Sequence, residues 1–289
     1  MSRWLSVILG CRLHSCPVVL PNTKGLYARD QGELEPYLVE LRFAGFVCCS
    51  SNGVVMDMLE TQANSDFVRG RIELCLPALK AAFDDLWRTE PQREMTIAFL
   101  VLLHQIMRAS VPLMQLAAER CDQLAGTERL VPSLGKYYRH HISEEQHHDT
   151  WALEDLETTG CDPQGILSIT PSVEVARLVG TQYYWVQHHH PLMLLGYIAV
   201  LEAFPPADSR IDEIRDRSGL PESTFRTLRI HGDLDPTHSA EIDQTFNALP
   251  LDHNHLAMVG LSVLHSCDAL AASVRALRPL YLPSGSISG

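Results

Sequence analysis

Residues 137–151, YYRHHISEEQHHDTW, crowd four histidines, two glutamates and an aspartate into fifteen positions. Side chains of these types hold metal ions or move protons. Glu145 and His148 stand three apart, which on a helix places both on one face. Glu144 and His147 form an overlapping pair turned by about 100°, so the two pairs cannot address one point. One is a site and the other a solvated face. We assign the site to Glu145 and His148, with His141 and Glu144 as alternative ligands or as supports for the ligands.

A second stretch, LRIHGDLDPTH, sets His231, Asp235 and His238 at i, i+4 and i+7. On a helix these fall within about 60° of one another. A third, LLGYIAVLEAFPP, carries Glu202 in apolar surroundings, where an unpaired carboxylate is expensive to bury. Glu202 either reaches solvent at a helix end or bridges metals. Three carboxylates with three imidazoles and no thiolate suit iron or manganese. Six ligands exceed what one open mononuclear site uses and suit two metals sharing a carboxylate. A single-metal triad and a zinc hydrolase site remain alternatives.

Helices must position these groups. Apolar periodicity predicts helices over residues 66–87, 92–125 (ended by Gly126), 133–159 (ended by Gly160), 221–248 and 252–278. Residues 170–206 read as one further segment, with Thr170 as N-cap, Pro171 in the first turn and Pro205-Pro206 at the close. Pro191 predicts a break near His190. No strand alternation stands out, so the fold class is all-α. Residues 1–60 read as an N-terminal elaboration, 61–280 as one helical domain and 281–289 as a disordered tail.

Composition narrows the partners. Lysine and arginine total 23 against 35 acids, a net charge of −12, which argues against nucleic acid. No uninterrupted apolar run approaches the roughly 18 residues of a membrane span, and the short apolar stretch at Trp4–Cys11 is followed at once by Arg12 and His14. We expect no membrane association and a cytoplasmic protein. The eight cysteines form no C-x-x-C pair, as expected of scattered reduced thiols. Tyr183, Tyr184, His190 and Tyr197 are candidates for the pocket wall. His104, in FLVLLHQIM, reads as a core histidine, and His253 and His255 as exposed ones.

In order and rough spacing, HISEEQHHDTWALEDLETTG, GYIAVLEAFPP and HGDLDPTH resemble the haem-oxygenase-like diiron oxidases, a family of iron-containing redox enzymes. The H-x3-D-x2-H triplet is the most specific element. The resemblance implies a haem-oxygenase-like bundle of about seven helices that binds two Fe(II)/Fe(III) ions. Its ligands would be Glu145, His148, Glu202, His231, Asp235 and His238, with O2 as co-substrate. Members differ in the spacing of their first Glu and His, so Glu145, Glu144 or His141 can fill the first position. The implied activity is oxidation of a small amino-acid- or fatty-acid-like metabolite in natural-product biosynthesis, by C–C cleavage, desaturation or N-oxygenation. It leaves room for an external electron donor and a homodimer. N-oxygenating members carry an extra carboxylate, for which Glu119 is the nearest counterpart, so cleavage or desaturation is the expected branch. The alternative is a metal-independent enzyme of the same fold, of the thiaminase-like or quinone-cofactor-forming type.

Overall fold

The structure, a computed structural model, describes residues 63–281, and among them it contains ten α-helices and no strand. The expected N-terminal elaboration and the tail beyond residue 281 lie outside the described residues. In chain order the helices are α1 (Asn64–Leu86), α2 (Gln92–Gln123), α3 (Val131–Glu145), α4 (His148–Glu157) and α5 (Pro163–Ser168). They continue as α6 (Val173–His188), α7 (Met193–Leu201), α8 (Asp208–Ser218), α9 (Arg226–Ala248) and α10 (His253–Ala276). The six helical stretches read from the sequence become ten because two of them break and two short helices, α5 and α8, fill stretches read as connections.

Both breaks matter for the site. Between α3 and α4, Gln146 is extended and His147 takes a left-handed conformation at φ 73°, a region that histidine enters more readily than most non-glycine residues. Glu145 therefore ends one helix and His148 begins the next. Between α6 and α7, Pro191 has no N–H to continue the ladder. The Trp185 carbonyl instead accepts from the N–H groups of both His189 and His190 at 2.9 Å. The buried Tyr138 hydroxyl donates to the Pro191 carbonyl at 2.8 Å, so the interruption leaves that acceptor satisfied. The N-cap of α6 is Ser172, whose Oγ accepts from the Val175 N–H at 3.2 Å, rather than Thr170. Thr170 and Pro171 sit two and one residues too early to serve.

α2 lies centrally, packed by α3, α4 and α6, while α10 packs against α1, α6 and α7. Phe99 on α2 makes T-shaped contacts with Phe83 and Trp87, with ring centroids 6.0 and 5.0 Å away, a favoured aromatic geometry. Helices α2 and α10 are long and apolar enough by composition to cross a membrane, but 56% and 61% of their most apolar windows are buried inside the bundle. Core packing accounts for that apolarity.

α9, which carries the His-Asp-His triplet, is anchored from two sides. Arg69 on α1 reaches Asp243 with two nitrogens, the shorter contact being 2.7 Å. At its start, the buried Asp155 of α4 accepts the Thr227 N–H at 2.7 Å, one of the donors a helix N-terminus leaves open. Removing that acceptor strands a buried donor, a loss of about 1–3 kcal/mol. Asp155→Ala should lower Tm by roughly 2–10 °C in a thermal-unfolding scan. An unchanged Tm would show that α9 does not depend on this cap.

Candidate metal centre

The two breaks and the triplet helix converge on one buried cluster. α3 supplies His141 and Glu145, α4 supplies His148, the C-cap of α7 supplies Glu202, and α9 supplies His231, Asp235 and His238. All but the half-buried His231 are less than a tenth exposed. Ligand-type atoms form two groups within metal-binding reach: His141, Glu145, Glu202 and His238, and Glu145, His148 and His231. Glu145 belongs to both, and its two oxygens divide the work. Oε2 faces His148 Nδ1 at 3.0 Å, and Oε1 faces His238 Nδ1 at 3.7 Å. Glu202 completes the first group, with Oε1 at 3.7 Å from His141 Nε2 and Oε2 at 3.4 Å from His238 Nδ1. The shared position, expected of Glu202, falls geometrically to Glu145 because it sits at the break between the two helices.

These atoms face one another without bonding. Glu145 Oε1, His148 Nδ1, Glu202 Oε2, Asp235 Oδ1 and His238 Nδ1 are all buried and have no hydrogen-bond partner. Buried polar groups are almost always paired, so five orphans pointing into one cluster match a cation as the missing partner. The electrostatics agree. Burial would raise Glu202, yet the imidazoles of His141 and His238 outweigh it and hold the carboxyl down at about 2. Contact with Glu202 lifts His238 to about 9 against the effect of burial. Burial, reinforced by the charge on Glu202, pushes Asp235 up to about 8. Three carboxylates in one buried cluster cannot all ionise without added positive charge, and a divalent cation supplies it.

Supporting groups fix the rings. His231 Nδ1 donates to the Thr227 carbonyl at 2.9 Å, leaving the Nε2 lone pair free to ligate. His141 Nδ1 faces Glu144 Oε2 at 3.3 Å, and its ring stacks on Tyr137 at 5.5 Å. Trp151 stacks on His148 at 4.5 Å. Tyr137 and Thr227 were not singled out in the sequence, although each stands four residues before the histidine it supports.

A cavity of about 30 Å³ adjoins Glu145 and Glu202, walled by Leu113, Met114, Leu194, Tyr197, Ile198 and Leu201 among others. Of the expected pocket residues, only Tyr197 lines it. Tyr183 and Tyr184 are 36% and 64% exposed on α6, ahead of the break. His190 is held at the break itself, where Nδ1 accepts the Leu192 N–H and Nε2 meets Glu128, both at 3.0 Å. His104 is buried in α2, as expected of a core histidine, whereas His255 is only partly exposed because it closes a capping box with Asp252 at the start of α10. Glu119 is exposed on α2 and belongs to neither ligand group.

The fold is shared with solved structures. A domain of unknown function with a haem oxygenase-like fold from Shewanella denitrificans superposes with a TM-score of 0.55 at 18% identity, covering 68% of this chain and 87% of that one. A TenA homologue from Pseudomonas syringae pv. tomato superposes with a TM-score of 0.51 at 13% identity, covering 72% and 90%. At such identities the likeness carries the fold alone. No curated protein matches the chain. The family of iron-containing redox enzymes matches over residues 98–271, more than half of the sequence and all of the cluster. The chain therefore belongs to the haem-oxygenase-like family of iron-containing redox enzymes.

Proposed function

We propose that this protein is an O2-dependent non-haem diiron oxidoreductase acting on a small amino-acid- or fatty-acid-like metabolite. The observation that carries this reading is the set of five buried, unpartnered atoms on Glu145, His148, Glu202, Asp235 and His238. His148 and His231 with Glu145 would hold one ion. His141, His238 and Glu202 with the same Glu145 would hold the other, with Asp235 beside Glu202. When bound, iron supplies the one-electron chemistry that dioxygen requires.

The chain's own residues prepare that chemistry. The Thr227 carbonyl and the Glu144 carboxylate orient His231 and His141, and the Trp151 and Tyr137 rings hold the imidazoles of His148 and His141 in place. Leu113, Met114, Leu194, Ile198 and Leu201 present an apolar wall to the carboxylates, which keeps bulk water away. The 30 Å³ cavity has room for a molecule of about the size of water, which suits dioxygen and not an organic substrate. A substrate must displace part of this wall, and its apolar character favours an aliphatic segment there. With Glu119 outside the cluster and an imidazole, His141, as the extra group, C–C cleavage or desaturation fits better than N-oxygenation. An external electron donor, a cytoplasmic setting and a role in natural-product biosynthesis belong to the same reading.

An anaerobic Fe(II) titration followed by mixing with O2 tests it. Two irons per chain and iron-dependent O2 consumption are expected, both lost on chelation. Absence of iron uptake would overturn the reading in favour of a metal-independent enzyme.

A further inference from the structure

A helix start leaves its first backbone N–H groups without partners inside the helix, and at α7 each of them finds one. The N–H groups of Met193, Leu194 and Leu195 donate to the carbonyls of His190, Pro191 and Leu192 at 3.2, 3.1 and 3.1 Å. The N–H of the N-cap residue Leu192 donates instead to a side chain, His190 Nδ1, at 3.0 Å. An imidazole nitrogen that accepts a hydrogen bond carries no proton. The neutral ring of His190 therefore holds its proton on Nε2, which donates to Glu128 Oε2 at 3.0 Å. The ring is 6% exposed, and partners on both sides fix its tautomer.

Protonation of that ring would break the arrangement. An imidazolium bears N–H on both nitrogens, so Nδ1–H would meet the Leu192 N–H donor to donor. The Leu192 N–H would then be buried without an acceptor. The start of a helix also carries partial positive charge, which disfavours a cation there. The charged groups around the ring pull in both directions. Glu128, between α2 and α3, favours the charged form, while the neighbouring His189 and His255 oppose it. His255, at the start of α10, holds its ring centroid 6.0 Å from that of His190 and its Nε2 3.6 Å from the same Glu128 oxygen. Asp252 lies on the far side of His255, 2.9 Å from its Nδ1. From α3, the Tyr138 hydroxyl is already engaged by the Pro191 carbonyl. Burial outweighs the Glu128 carboxylate, and His190 titrates below its ordinary value. The Glu128 contact is made through Nε2–H in both forms, so it does not replace the bond lost at Nδ1.

We propose that His190 is a pH-sensitive latch on the start of α7, closed while the ring is neutral and opened by its protonation. α7 is only nine residues long and ends at Glu202, so the latch holds the far end of the helix that delivers this carboxylate. Because the folded ring binds its proton less readily than the unfolded one, the stabilisation is complete above about pH 6.5 and is lost as the pH falls below it. His190, Glu128, His255 and Asp252 all lie outside the two buried ligand groups, so the latch does not depend on the proposed metal chemistry.

Thermal unfolding of the full-length protein at about pH 7.5 and about pH 5.5, on either side of the ordinary histidine value, tests the latch with His190→Asn alongside. The asparagine Oδ1 accepts a hydrogen bond as Nδ1 does but does not titrate. Between the two pH values the wild type should lose ~2–4 °C more of its Tm than the variant. Equal losses in the two proteins would overturn the proposal. NMR of the wild type decides the matter should the variant not fold. The ring nitrogens of His190 should show a bare Nδ1 and a protonated Nε2 at the higher pH. Protection of the Leu192 amide against hydrogen exchange should fall about tenfold at the lower pH, the factor of one pKa unit. A proton on Nδ1 at the higher pH, or unchanged protection, would sink the latch. Neither readout needs a metal, so failure here leaves the proposed function standing, and absence of iron uptake leaves the latch standing.

Discussion

Glu145→Ala is expected to abolish binding at both iron positions, whereas His231→Ala should leave one iron per chain. The difference follows from the division of Glu145 between the groups, with Oε2 toward His148 and Oε1 toward His238. His231 belongs only to the group that it forms with Glu145 and His148. Removing it leaves the His141, Glu145, Glu202 and His238 set complete. Neither variant should unfold the protein. Glu145→Ala removes an unpartnered buried carboxylate, and His231→Ala removes a half-buried ring whose one hydrogen bond goes to a carbonyl within its own helix, so neither strands a buried donor. Iron content after desalting, set against the far-UV CD spectrum of each variant, separates loss of ligands from loss of fold. One tightly held iron in Glu145→Ala would overturn the shared role of Glu145 and return it to Glu202.

That contrast marks where the sequence was sufficient and where it was not. The triplet on α9 was legible because three ligand-type residues on one stripe have few structural explanations. Glu202 was legible because a carboxylate in MLLGYIAVL needs a partner. The all-α class, the break at Pro191 and the ends of α2 and α10 followed from apolar periodicity and from proline and glycine positions. The break at residues 146–147 was not legible, since Gln146 and His147 carry no glycine or proline signal. A Glu and a His three apart already share a face of a continuous helix, so nothing local calls for the break and tertiary packing sets it, which local propensity does not encode. The sharing of Glu145 was hidden for the same reason, as it depends on which way each oxygen faces. α8 escaped notice because DSRIDEIRDRS has only Ile211 and Ile214 as apolar residues, and both are buried. Its arginines and acids instead join exposed ion pairs, such as Arg229 with Asp208 at 2.9 Å and with Asp212 at 2.7 Å, each worth little alone.

Gly232 gives the second large effect. It follows His231 on α9, and a Cβ built on it would lie 2.7 Å from the carbonyl oxygen of Pro206, in the loop that leaves Glu202. The obstacle is backbone on both sides, so no side-chain rotation relieves it. Gly232→Ala must push α9 away from that loop, at about 1–3 kcal/mol of overpacking. The same shift moves His231 relative to Glu145 and Glu202. A misplacement that costs about 1.4 kcal/mol of binding is a tenfold loss of affinity, so iron retention at the His231 position should fall at least that far. Gly180 on α6 supplies the control, since a Cβ there meets nothing within 4 Å. An exposed helical glycine costs about 0.5–1 kcal/mol relative to alanine, so Gly180→Ala should raise Tm and leave iron binding unchanged. Denaturant unfolding and Fe(II) titration of the two variants side by side decide the matter. If Gly232→Ala behaved like Gly180→Ala, the close approach of α9 to Pro206 would have no part in holding the metal centre together.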